Sequence, residues 1–236
     1  MRRHVWSAVL LAILICLTGF LVGGSSSAVA ADPPSQPFDL IYSATDVKYR
    51  IYQDGVGMLN KTEGTLVAPA FNGPGIIKAY LVWAGLGRDD DGVLMRRDSE
   101  PDTRITPTTD LTWNRTTFDG RPTWGCCGEE LTVYAADITD LGIAATGNHT
   151  YTVSDMEITH TDNGQQVVEN WGFSLLLVYE DPTLDRTRDI IIKLGNDGLF
   201  AEWTGLIGPN SDVQCFAFES NGRERRANFS VVVGGV

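Results

Sequence analysis

Asp89-Asp90-Asp91-Gly92 sets three oxygen-bearing side chains ahead of a turn glycine. Hard cations take clustered carboxylates on a flexible loop, so Asp89, Asp90 and Asp91 are candidate metal ligands and calcium is the cofactor they imply. The EF-hand spacing is absent, because no Glu follows at the required distance. The alternative is a charged hairpin tip answered by Arg88, Arg96 and Arg97.

Glycoside hydrolysis needs two carboxylates across one cleft, roughly 5–10 Å apart. Asp155 and Glu157 meet that spacing if Tyr151–His160 is a strand, because same-face neighbours stand roughly 7 Å apart. Met156 and Ile158 would then form the opposite, apolar face, and the plainer reading is a wet sheet face over a core. Glu129 and Glu130 are sequence neighbours and would point to opposite faces. Nucleophilic catalysis finds little here. Beyond His4 the chain has only His149 and His160, both read as loop-side residues, and Ser174 in Gly172-Phe173-Ser174-Leu175-Leu176 lacks the second glycine of a nucleophile elbow. Lys78, in an apolar run, and Lys193 raise a cross-link to an Asn or Asp, against the simpler case of a packed stem with its ammonium in water. Asn60, Asn114, Asn148 and Asn228 head N-x-Ser/Thr sequons, which mark surface positions if the host glycosylates them.

These residues sit in an exported chain. Arg2 and Arg3 precede an apolar run, Val5–Val22, then a Gly/Ser stretch and Ala28-Val29-Ala30. That order is a signal peptide over residues 1–30 with a small-x-small cleavage site. At 18 residues the run also approaches membrane-spanning length, so an uncleaved anchor is the alternative and the sole route to a membrane. Cleavage takes the formal net charge from −12 to −14, since two arginines leave and no acid does. Such a surface disfavours nucleic acid and anionic membranes. Three cysteines remain in the mature chain, Cys126, Cys127 and Cys215. In an oxidising compartment a bridge from Cys126 or Cys127 to Cys215 is expected. A vicinal Cys126–Cys127 bridge is strained, and zinc lacks ligands.

The elements that position these groups are strands. Residues 31–37 form a proline-rich spacer, and residues 38–236 read as a single domain. Asp39–Ile51, Gly64–Ala70, Ile76–Ala84, Leu131–Ala136, Tyr151–His160, Phe173–Tyr179, Asp189–Leu194, Val213–Phe218 and Asn228–Val233 are rich in β-branched and aromatic residues. Asx-Gly pairs between them, among them Asp54-Gly55, Asn72-Gly73, Asp91-Gly92 and Asn163-Gly164, supply turn chemistry. In Ile76–Ala84, Tyr80 and Val82 alternate with Leu81 and Trp83, so this strand is buried on both faces, as is Phe173–Tyr179. The expected fold is all-β: an antiparallel two-sheet sandwich, jelly-roll or immunoglobulin-like, with one long irregular insertion at Arg88–Arg121. Only Asp137–Gly142 suggests a helical turn, with Asp137 capping it. The insertion carries Trp113 and leads to Trp124, and these two aromatics are the candidate contact loop.

Four motifs occur in order: Lys78-Ala79-Tyr80-Leu81-Val82-Trp83-Ala84-Gly85, Tyr134-Ala135-Ala136-Asp137-Ile138-Thr139, Gly147-Asn148-His149-Thr150-Tyr151-Thr152-Val153, and the run from Trp171 to Pro182. Together they resemble the secreted β-sandwich domain at the front of many bacterial adhesin-like surface proteins, over about residues 76–194. The resemblance implies an extracellular, non-catalytic role in adhesion or matrix assembly, with cell-surface glycans, proteins or the chain itself as partners. It carries over no catalytic residue. Up to Val236 the sequence shows no repeats, sorting signal or C-terminal membrane helix, and the expectation is a freely secreted protein or a fragment-like product. The runner-up is a secreted carbohydrate-binding module or glycoside hydrolase using Trp113, Trp124 and calcium, or Asp155 and Glu157.

Overall fold

A strand that is apolar at nearly every position must be covered on both faces, and the architecture follows from two such strands. The computed structural model describes residues 38–59, 61–88, 90–115 and 131–196. The signal segment, the spacer, Asp89, Trp124, Glu129, Glu130, the three mature-chain cysteines and the last two expected strands lie outside these residues.

In chain order the strands are β1 (Asp39–Val47), β2 (Tyr49–Gly57), β3 (Gly64–Ala68), β4 (Ile76–Leu86), β5 (Val93–Arg97), β6 (Thr103–Ile105), β7 (Thr112–Arg115), β8 (Leu131–Asp137), β9 (His149–Ser154), β10 (Thr159–Asp162), β11 (Gln165–Val168), β12 (Asn170–Glu180) and β13 (Arg188–Leu194). A single 3-10 turn spans Thr139–Leu141, and the described residues contain no α-helix. The all-β, antiparallel fold expected from sequence is what forms. One sheet has the order β2-β12-β4-β8-β7 and a second β3-β9-β5-β6; β1 pairs with β13 and β10 with β11 as separate ribbons.

The main core lies between the two larger sheets. Leu81, Trp83, Tyr134, Phe173, Leu175 and Leu177 meet Leu66, Val93, Met95, Tyr151 and Val153 there. Antiparallel register sets Trp83 opposite both Phe173 on β12 and Tyr134 on β8, and the Trp83 and Tyr134 rings stack with centroids 5.5 Å apart. Two sheets cover only one face of each, so they do not account for the double-sided burial of β4 and β12. The β1–β13 ribbon does: Ile190 and Ile192 close over Tyr80, Leu176 and Val178 on the outer face. Trp113 seals the adjoining patch with Val82 and Ala135. The sandwich therefore has a third layer on one side.

Three local expectations change. Asp39–Ile51 is not one strand: the chain leaves the ribbon at Val47 and joins the edge of the large sheet at Tyr49, and Asp54-Gly55 lies inside β2 instead of in a turn. Tyr151–His160 is not one strand either. β9 stops at Ser154, Asp155 takes φ +57°, and residues 155–158 cross to a separate ribbon. The Arg88–Arg121 segment holds β5, β6 and β7, with Val93, Met95 and Ile105 in the core, so it cannot be excised as a loop.

Leu175 is fully buried at the centre of this packing. Leu175→Ala is expected to lower unfolding free energy by about 2–5 kcal/mol through lost transfer energy and the cavity left behind. Val67→Ala, at a side chain 58 % exposed, should stay within about 0.5 kcal/mol. Urea unfolding of the two variants checks the contrast.

Candidate functional site

Of the acidic triplet, Asp89 lies outside the described residues, and Asp90 and Asp91 turn opposite ways. Asp90 turns inward and is 6 % exposed: its Oδ2 accepts the Trp83 indole N–H at 3.1 Å, Oδ1 accepts the Gly92 N–H at 3.1 Å, and the Glu157 backbone N–H adds a third donor. Gly92 sits at φ +144° with the Ile105 carbonyl where a Cβ would stand, which explains the glycine. Asp91 turns outward, its side chain 91 % exposed, and pairs with Arg104. The same guanidinium binds Asp155. Asp155 and Glu157 are both exposed, but they lie in the crossing after β9 ends and not on one strand. The period-2 pattern was reporting burial alone: Met156 and Ile158 are indeed fully buried.

A second cluster surrounds an open depression of about 450 Å³ lined by Asp39, Tyr80, Thr108, Asp110, Leu111 and Asp137. Asp39 Oδ2 accepts the Trp113 indole N–H at 2.7 Å. Trp113 is 5 % exposed, so this aromatic is core beneath the depression and offers no face to a ligand. Asp137 takes the Lys78 ammonium at 2.8 Å and the Thr139 N–H at 3.0 Å; the N-cap of the 3-10 turn is Ile138, one residue later than the sequence suggested, and it makes no side-chain cap. The hydrogen bond to Lys78 helps hold the Asp137 carboxyl below the usual carboxylate range, against burial. It also raises the Lys78 pKa. A cross-link at this pair needs a neutral amine and a protonated acid, the opposite of the charge states the pair favours.

The histidines are placed differently from each other. His149 Nδ1 lies 2.7 Å from Asp98 Oδ2 at the mouth of β9. His160 is not loop-side: it is buried, with Nε2 3.8 Å from Glu169 and Nδ1 without a partner among the described residues. Its position in the series 156, 158, 160 carried that signal. Asn170, fully buried, gave none. Its amide donates to the Lys61 and Met156 carbonyls and accepts the Ile158 N–H at 3.1 Å, tying the start of β12 to the 155–158 crossing.

Among the described residues no group of three or more His, Cys, Asp or Glu is arranged to hold a metal ion. Comparison with protein-family models, curated proteins and solved structures returns no match.

Burial raises the Asp90 pKa from 3.8 to about 6, its three N–H donors offsetting only part of the desolvation. A raised carboxyl favours the protonated folded state, so its stabilising contribution is complete below about pH 3.8 and is lost as pH rises through 6. The lowered carboxyls Asp98, Asp137 and Asp181 act oppositely, and their contribution disappears only as pH falls below the ordinary carboxylate range. Stability is thus expected to fall by on the order of 2–3 kcal/mol between pH 4 and 7, and Asp90→Asn should flatten that slope in melting curves. The oxygens of Asp90 and Asp91 already hold N–H donors and Arg104, so millimolar calcium is expected to leave the melting temperature unchanged. A rise with a saturable calcium dependence would support the metal reading.

Proposed function

We propose that the chain is exported and works outside the cytoplasm as a non-catalytic β-sandwich, in adhesion or in the assembly of a surface or matrix. Its partners are cell-surface glycans, proteins or further copies of itself. One observation carries this reading: among the described residues, five aspartates capable of acid–base chemistry are committed to structural partners. Asp90 holds Trp83, Asp137 holds Lys78, Asp98 holds His149, Asp155 holds Arg104 and Asp181 holds Arg50. A general acid or base must instead reach into a space where substrate can sit. The acidic net charge supports glycans and proteins over nucleic acid, and export rests on Met1–Ala30.

A carbohydrate-binding role is the second reading, and the depression favours it. Carboxylates of Asp39, Asp110 and Asp137 beside the hydroxyls of Thr108 and Tyr80 offer the acceptors and donors that sugar hydroxyls use.

Purified protein is expected to bind cells or a glycan panel and to release no sugar from a panel of polysaccharides. Hydrolysis that disappears in Asp155→Asn and Glu157→Gln would overturn the non-catalytic reading.

A further inference from the structure

An aspartate followed by glycine has the means to rearrange its own backbone. The glycine nitrogen bonds the aspartyl Cγ, a five-membered imide closes, and water reopens it on either side. The reaction needs nitrogen and carboxyl carbon held close, and glycine, lacking a Cβ, leaves the approach open. The described residues contain two such pairs, Asp54-Gly55 in β2 and Asp91-Gly92 ahead of β5, and the fold treats them oppositely.

At Asp91-Gly92 the reacting groups are engaged elsewhere. The Gly92 N–H is held by Asp90 Oδ1 at 3.1 Å and the Asp91 carboxylate by Arg104, while the Ile105 carbonyl fills the side of Gly92 where a Cβ would stand. At Asp54-Gly55 the contact is internal. The Gly55 N–H donates to Oδ1 of Asp54 itself at 2.8 Å, so the nitrogen already lies against the carboxyl whose carbon it must reach. The Tyr52 hydroxyl donates to the other oxygen, Oδ2, at 3.2 Å, and also lies 3.4 Å from the Val67 carbonyl. Its ring packs on Phe71, with centroids 5.2 Å apart. Burial, and then the Asp54 charge, push the Tyr52 pKa up to about 12, so the hydroxyl stays a donor. Asp54 and Gly55 are both exposed, within reach of the water that reopens the ring.

We propose that Asp54-Gly55 is a site of spontaneous backbone modification, converting Asp54 to isoaspartate, with the Tyr52 hydroxyl holding the departing oxygen. In the protonated acid the Gly55 nitrogen forms its bond to Cγ while the Cγ–Oδ2 bond breaks, and Oδ2 leaves as water with the acid proton and the amide proton. One water then adds back. Opening at the former peptide carbonyl leaves the chain running through Cγ, with its mass unchanged and one methylene inserted in the backbone. That methylene falls in a ladder without slack. β2 keeps an unbroken register with β12 from Tyr49 opposite Glu180 to Gly57 opposite Gly172. Beyond it Met58 is fully buried, its N–H on the Trp171 carbonyl at 2.9 Å. Gly55 also packs on the Phe173 carbonyl, 2.9 Å from where its Cβ would stand. Extra length between these fixed points pushes residues 55–57 out of register, while the ladder of β12 with β4 on its other side is untouched. The edge of the large sheet therefore loosens with the age of the molecule.

The test ages the purified full chain in heavy-oxygen water and maps isoaspartate by peptide mass spectrometry. Isoaspartate carrying the label is expected at residue 54 and not at residue 91; in urea, where the fold no longer selects, the two pairs should react alike. Tyr52→Phe keeps the ring on Phe71 and should slow the reaction at residue 54 by about two- to ten-fold, the worth of one hydrogen bond. Asp54→Glu sets the carboxyl one methylene too far to close the five-membered ring and should abolish it. Aged protein should lose hydrogen-exchange protection at residues 55–58 and keep it along β4. Folded chain that reacts at residue 91 as fast as at residue 54, that stays unmodified at residue 54 while the chain in urea reacts, or that keeps its rate in Tyr52→Phe would overturn the proposal.

Discussion

β4 and β12 lie side by side with Trp83 opposite Phe173, Leu81 opposite Leu175 and Ala79 opposite Leu177 on one face, and Tyr80 opposite Leu176 on the other. Each buried Leu, Phe or Trp withdraws enough apolar surface to be worth about 1.5–3 kcal/mol, and here the gain is available on both sides of the same two backbones. That doubles the demand for cover. The four-stranded sheet meets it on one face, the β1–β13 ribbon and Trp113 on the other. The ladder between the two strands is also dry, so its backbone hydrogen bonds have no competing water.

Polar groups at the margins of this pair set its boundaries. Asp90 sits at the far end of Trp83, Asn170 at the start of β12, and Asp181 just beyond its end, where it binds Arg50 and the Thr183 N–H. Each satisfies backbone or indole donors that the turn would otherwise bury unpaired, a loss costing about 1–3 kcal/mol per group. Asp90 and Asp181, which the sequence alone would offer for metal or acid–base chemistry, cap and latch turns instead.

How far the sequence could be read depended on the range of each signal. Alternation within Ile76–Ala84 and Phe173–Tyr179 is local, and it identified both central strands and their two-sided burial. Met156 and Ile158 kept their parity even where no strand forms, because burial follows the side chain's direction and needs no ladder. Backbone φ is not local in this way: the positive φ at Asp155 and the change of course at Lys48 depend on where the next sheet lies. Trp113 looked like an exposed aromatic because Thr and Asp surround it, and the partners that place it in the core, Val82, Ala135 and Asp39, the last 74 positions away, are all distant in sequence. The candidate depression joins residues 39, 80, 110 and 137, separations that composition and spacing do not link.

The β1–β13 ribbon has one more property. Its register begins with Asp39 beside Leu194 and ends with Val47 beside Arg188, so the outermost residues of the two strands emerge at the same end. Tension applied there would load the ladder one hydrogen bond at a time, like a zip, instead of shearing all of them together. The third layer would peel first and uncover Tyr80, Leu176 and Val178, while the paired sheets beneath stayed closed. Peeling from that end would uncover the outer apolar face before reaching the core between the two sheets.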